Sequence, residues 1–203
     1  SLKIGGVSNG KVTVYPKYFE TKEEMKQVQR FASLVATEVS GLTVEEKVYY
    51  IVQRVGDLLR YSSTAQDNSN NLSIFSPYAS LSTGEGVCQA YARLVDTLLK
   101  ESGVTTDFMK GTLNGTPHLW NAVKIGSEWF AVDATAADTD NGKINFNFVF
   151  MNTKDLTDNN YVVTYTPNQI SWRNIKKFSD TGSISTKQKK FYIDFLFKKE
   201  TAS

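Results

Sequence analysis

On either side of Gly126-Ser127 the chain is apolar at alternating positions, with Leu119, Val123 and Ile125 before and Phe130 and Val132 after. This is the pattern of two half-buried strands joined by a short turn. No other stretch limits the fold so narrowly, because a hairpin with a fixed turn has a fixed register. If Ile125 faces Glu128, then Trp120 falls opposite Asp133 and His118 opposite Thr135. Side chains alternate along a strand, so His118, Trp120, Asp133 and Thr135 share one face while Leu119, Val123, Phe130 and Val132 share the other. His118 and Asp133 become diagonal neighbours about 7–8 Å apart at the backbone, within reach of a side-chain hydrogen bond. A slip of one residue would put them on opposite faces.

His118 is the only histidine, and Cys88 the only cysteine. The cysteine lies in Gly86-Val87-Cys88-Gln89-Ala90-Tyr91-Ala92, after Thr83-Gly84-Glu85, whose glycine lets the backbone turn. Tyr91, Leu94, Val95, Leu98 and Leu99 then recur at the spacing of one buried helical face, and Gly103 follows as a C-terminal cap. Cys88 is therefore expected at a helix N-terminus, where the backbone N–H groups and the helix dipole favour a thiolate. A lone cysteine is more often a small buried hydrophobe. What separates Cys88 from that reading is the order cysteine, histidine, aspartate, which supplies a nucleophile, a base and a group that orients the base.

Elsewhere the sequence reads as scaffold. Lys11 to Tyr15 alternates as a strand within a lead-in of twenty residues. Thr21 with Glu24, and Thr43 with Glu46, are capping boxes opening two helices; the first places Met25, Val28, Phe31, Ala32, Val35 and Val39 inward, and the second Val48, Ile51, Val52, Val55, Leu58 and Leu59. Residues 61–79 read as a long loop around the polar run 66–71, a rim or lid for a site. A strand is expected over 104–113 and another over 143–151, with Ile144, Phe146, Phe148 and Phe150 on one face. Residues 152–190 read as turns and short elements around Trp172, and Phe191–Phe197 as a last strand or short helix. Asp138, Asp140 and Gly142 do not make a calcium loop, because the glycine falls one position early and Val149 stands where the bidentate glutamate belongs.

The three central blocks resemble the core of the transglutaminase-like superfamily, thiol enzymes related in architecture to papain. They are Gly86–Ala92, His118-Leu119-Trp120-Asn121-Ala122-Val123, and Trp129-Phe130-Ala131-Val132-Asp133-Ala134-Thr135. The resemblance covers about residues 58–155, through Phe148-Val149-Phe150-Met151 to Asp155. Ala90, Leu119 and Ala136 depart from residues common in the family, while Cys88, His118 and Asp133 all keep to its pattern. The resemblance implies an α+β, papain-like transglutaminase-core fold, with helices packed on an antiparallel sheet and the nucleophile at a helix N-terminus. It implies acyl transfer through a thioester, with Cys88 as nucleophile, His118 as proton carrier and Asp133 as orienting group. Water as acceptor would give hydrolysis of protein or peptide amides and an amine would give cross-linking; the sequence leaves the two even. The Cys88 N–H is one expected oxyanion donor. Tyr61 and Tyr78 are candidates for the second by position, Gln89 follows the nucleophile, and Trp120 is either a wall of the acyl pocket or hairpin packing. Asn121 falls on the opposite face and reads as structural.

One domain is expected, with residues 1–57 as N-terminal strand and helices, 58–155 as catalytic core and 156–203 as C-terminal extension. The net charge of +2, with both signs mixed, gives no case for nucleic acid, and no apolar run is long enough to span a membrane. No cofactor or metal is expected, and the chain is expected to be a monomer acting on a protein or peptide. It begins at Ser1 without an apolar leader, which suggests a processed form, and its Asn-, Ser- and Thr-rich composition suits an exported bacterial surface protein. The alternative reading is a catalytically silent domain of the same fold that serves as a protein-interaction module.

Overall fold

The computed structural model describes residues 2–8, 11–16, 20–62, 75–139, 143–166 and 168–175, with the backbone alone for the first two segments. Strands β1 (Leu2–Ser8) and β2 (Lys11–Pro16) pair as an antiparallel hairpin. Helices α1 (Lys22–Glu38) and α2 (Val44–Leu58) start at the two capping boxes, where Thr21 and Thr43 accept from the Glu24 and Glu46 N–H groups and each glutamate reaches back to the cap. Such a cap contributes about 1 kcal/mol. The inward face of α1 is Val28, Phe31, Ala32 and Val35. Met25, one turn earlier and expected on that face, is 44% exposed.

Helix α4 (Cys88–Glu101) packs against α1, α2 and the sheet. Tyr91, Leu94, Val95, Leu98 and Leu99 join residues of α1 and α2 and the sheet residues Val123, Phe130 and Val132 in the main core. Each fully buried aliphatic side chain of this kind is worth about 1.5–3 kcal/mol over its exposed state. The five-stranded sheet runs β8 (Val149–Met151), β7 (Glu128–Val132), β6 (Thr116–Ile125), β5 (Thr106–Leu113), β9 (Tyr161–Tyr165), every pair antiparallel. A second, smaller cluster of Met109, Trp120, Ala122, Ala131, Met151, Leu156, Tyr161 and Ile170 holds the sheet to α6 (Thr153–Asp158) and to the segment 168–175.

Ile125 pairs with Glu128 and Asn121 with Val132, the register that the apolar alternation predicts. The second strand of the hairpin is shorter than expected. It stops at Val132, and Asp133 caps the short helix α5 (Ala134–Ala137), so Thr135 is helical. Aspartate is a strong N-cap residue and alanine favours the helical state.

Two other expectations are corrected. The loop expected to run through Ala79 gives way to α3 (Pro77–Thr83), capped by Ser76, with proline at its start and Gly84 left-handed at its end. The strand expected over 143–151 exists only as β8; Ile144 makes an isolated bridge to Asp138 and Phe146–Phe148 is a 3-10 turn. Within the stretch 152–190, the short elements expected among the described residues are α6 and β9. The polar run 66–71 and Phe191–Phe197 lie outside the described residues.

Candidate active site

Three separate elements deliver Cys88, His118 and Asp133 to one place. Cys88 is the first residue of α4, after Val87 in extended conformation. Two short parallel strands, β3 (Arg60–Tyr61) and β4 (Glu85–Gly86), lead into this helix. Gly86 is required there, since a Cβ would lie 2.7 Å from the Ser80 hydroxyl oxygen and 3.0 Å from the Ala90 Cβ. The helix is tied to the sheet by Asn121, buried on β6, whose Nδ2 donates to the Ala92 carbonyl at 3.0 Å. This bond ties the second turn of α4 to the strand that carries His118.

His118 Nε2 lies 2.6 Å from Asp133 Oδ2. Cys88 is the other group that acts electrostatically on the ring, and it raises the imidazole beside Asp133. With Nε2 engaged by the carboxylate, Nδ1 is the nitrogen left for the thiol. Asp133 is surrounded by donors: Oδ1 accepts from the Thr135 and Ala136 N–H groups at 3.0 and 3.1 Å, and Oδ2 accepts from the Tyr161 hydroxyl at 2.6 Å as well as from His118. Two oxygens receiving four donors suit a carboxylate, which only accepts. Facing such a group, His118 carries its proton on Nε2 and presents Nδ1 to the sulfur.

Burial is deep throughout: Asp133 is 1% exposed, Cys88 8%, and the His118 side chain 9%. Burial pulls the imidazole pKa down, but the hydrogen bonds and negative charges of Asp133 and Cys88 outweigh it and lift the ring to about 10. The Tyr161 phenol is pushed far above its ordinary value by burial first and then by the charge and hydrogen bond of Asp133. It is therefore a neutral donor throughout the working range. Sequence reasoning does not find Tyr161 as a site residue, and the one signal for it is the β-prone run Tyr161-Val162-Val163-Thr164-Tyr165.

Of the accessory candidates, Tyr61 is brought closest. It pairs with Gly86, two residues before Cys88, and its phenol is raised by partial burial and then by the charges of Cys88 and Asp133. Trp120 is 1% exposed; its ring stacks at 5.7 Å on His118 and meets Tyr161 edge-on at 5.1 Å, so it backs the imidazole from within the second core cluster. Gln89 is the second residue of α4 and partly exposed. Tyr78 sits on α3, its N–H donating to Glu20 at 2.6 Å and its side chain packed on the main core. Among the described residues, no group of three His, Cys, Asp or Glu side chains could hold a metal ion, and no helix is long and apolar enough to cross a membrane.

The family model of the transglutaminase-like superfamily matches residues 30–134, just over half of the chain and all three of these side chains. The chain belongs to that superfamily. Its fold is also similar to a crystal structure of a TGase, with a TM-score of 0.52 and 16% identity over 69% of this chain and 45% of the other. A candidate cysteine protease from Cytophaga hutchinsonii aligns at a TM-score of 0.44 and 18% identity, over 76% of this chain and 61% of its own. The chain thus spans 45% and 61% of the lengths of these two proteins. A search of curated proteins finds no match. The α+β architecture, with helices on an antiparallel sheet, is that of the superfamily.

Proposed function

We propose that this member of the superfamily is a thiol enzyme acting on carboxamides of proteins or peptides, with Cys88, His118 and Asp133 as its triad. The observation that carries the reading is the 2.6 Å bond between His118 and the buried Asp133, with Cys88 at the start of α4 acting on the same ring. With the ring charged, Cys88 Sγ attacks the carbonyl carbon as the thiolate; a sulfur–carbon bond forms and the carbonyl electron pair moves onto oxygen. Negative charge on the carbonyl oxygen is met by the Cys88 N–H at the start of α4. Collapse of the adduct breaks the carbon–nitrogen bond, and His118 gives the proton to the departing amine or ammonia. Water or a primary amine then attacks the thioester, its proton returns through His118, and the thiol is released. Asp133 holds the ring in the tautomer that this sequence needs. Tyr61, beside Cys88 and Asp133, is the better placed of the two tyrosine candidates to face the reacting carbonyl.

The test follows thioester chemistry directly. A glutamine-bearing peptide is incubated with a fluorescent primary amine, and amine incorporation is read beside ammonia release and chain cleavage. At least one of the three is expected, each abolished in Cys88→Ala. In parallel, iodoacetamide should alkylate wild-type Cys88 at about pH 6.5 much faster than the same thiol in His118→Ala. Equal alkylation rates with no turnover would overturn the proposal and favour an interaction role for the domain.

A further inference from the structure

We infer that Tyr161 is a positioning residue of this site, acting on His118 through the second oxygen of Asp133; the inference rests on the triad reading above. The two main-chain bonds to Asp133 Oδ1, from Thr135 and Ala136, anchor one oxygen to the start of α5. A carboxylate held at one oxygen can still turn its plane. The Tyr161 hydroxyl, 2.6 Å from Oδ2, removes that freedom and holds Oδ2 where His118 Nε2 meets it. The tyrosine does not touch the sulfur or an acyl group, so its influence on the chemistry passes through Asp133.

The fold keeps Tyr161 in place from three sides. Its ring meets Trp120 edge-on at 5.1 Å and lies 6.2 Å from the His118 ring. Its backbone pairs with Leu113 at the end of β5. Two residues earlier on β5 is Gly111, which faces His118 on one side and Val163 on the other. A Cβ at Gly111 would lie 1.9 Å from the Val162 carbonyl oxygen, so β9 can close on β5 only because the residue is glycine. The sheet register break falls between Lys110 and Gly111, at the same point. An edge strand has been drawn in closely, and the side chain it delivers reaches a buried carboxylate.

Tyr161→Phe removes one oxygen atom and leaves the ring that packs on Trp120. Iodoacetamide is the probe, since the chain has one cysteine and every alkylation event reports Cys88. The ionisable groups facing the pair are Cys88 from α4, Asp133 from the β7–α5 junction, Tyr161 from β9 and Tyr61 from β3. At pH 6.5 alkylation is expected to slow about 10- to 100-fold, the factor corresponding to one hydrogen bond to a charged group, with the thermal midpoint lowered only slightly. On an Asp133→Asn background the same substitution should add nothing, whereas a merely structural tyrosine would cost the same in both backgrounds. Unchanged alkylation in Tyr161→Phe, beside a slowed His118→Ala, would overturn this inference and leave the triad standing. Unchanged rates in both would overturn the triad itself. Should Tyr161→Phe not fold, the wild type decides: its single histidine gives one assignable imidazole Nε2–H signal, and a slowly exchanging tyrosine hydroxyl proton close to it in space is expected. The absence of that contact would refute the inference.

Discussion

Replacing Asp133 by asparagine keeps the shape of the side chain and inverts half of its hydrogen bonding. The amide oxygen can go on accepting from Thr135 and Ala136, so α5 keeps its cap. The NH2 group then meets His118 Nε2–H donor against donor, while the Tyr161 hydroxyl, which can also accept, must turn to receive it. The imidazole escapes by moving its proton to Nδ1, which aims that proton at Cys88 and removes the base. The size of the effect follows from His118, which stands at about 10 against an ordinary 6.5. At about 1.4 kcal/mol per pH unit, the folded chain favours the charged ring by roughly 5 kcal/mol. Asp133, through its hydrogen bond and its charge, is one of the two groups that create that preference. Counting two hydrogen bonds to a charged acceptor, at about 1.5 kcal/mol each, gives about 3 kcal/mol. The folded value of His118 lies above its unfolded one, so this stabilisation is complete below about pH 6.5 and is lost as the pH climbs through about 10. Urea unfolding of wild type and Asp133→Asn at pH 6, 8 and 10 should show a gap that is widest at pH 6 and narrows upward. Iodoacetamide should also alkylate the variant far more slowly at pH 6.5. A gap below about 0.5 kcal/mol at pH 6, within the range of ordinary surface substitutions, would refute a charged His118–Asp133 pair, as would a gap that does not change with pH.

Gly111→Ala should destabilise the fold by about 1–3 kcal/mol through overpacking, and should slow alkylation as well, because the Val162 carbonyl must retreat and carry Tyr161 with it. A variant with wild-type urea midpoint and alkylation rate would show that β9 is free to move without consequence. Asn121→Ala removes an extra bond from the Ala92 carbonyl, which keeps its place in the α4 ladder, and should cost about 0.5–1.5 kcal/mol, the net contribution of one hydrogen bond. Chemical denaturation checks this, and the alkylation rate at pH 6.5 should fall with it if the bond fixes Cys88 relative to His118.

What can be read from the sequence is local. Thr21 with Glu24 and Thr43 with Glu46 determine two helix starts within four residues each. The spacing of Tyr91, Leu94, Val95, Leu98 and Leu99 determines the inward face of α4. The alternation around Gly126-Ser127 determines which strand residues lie opposite each other, so the meeting of His118 and Asp133 is legible from the residue pattern alone. The contact of Tyr161 is not, because it depends on β9 pairing with β5 across nearly fifty residues of chain, and nothing in Tyr161–Tyr165 names that partner. Residues 77–83 are hidden by the polar stretch before them, although Ser76-Pro77 and Gly84 are ordinary start and stop signals.

The strand expected over 143–151 fails for a more instructive reason. Ile144, Phe146, Phe148 and Phe150 alternate as strand residues should, and alternation is blind to a bulge. Val149 pairs with Val132 and Met151 with Ala131, which leaves Phe150 as the extra residue of a bulge, at φ +56°. Left-handed backbone is uncommon for a bulky aromatic and costs of order 1–3 kcal/mol. Its ring offsets that by packing edge-on against Tyr49 at 5.1 Å and Phe130 at 6.4 Å in the main core. The consequence lies one residue further along the partner strand. The shift in register falls at Ala131/Val132, and the next residue is Asp133, whose N–H donates to the Phe148 carbonyl at 2.9 Å as the chain leaves the sheet for α5. The sheet's other break involving this end, at Lys110/Gly111, lies beside His118 and lets β9 bring in Tyr161. Two departures from regular pairing therefore converge on one carboxylate. One re-aims Asp133 out of the strand, and the other admits the hydroxyl that holds its second oxygen.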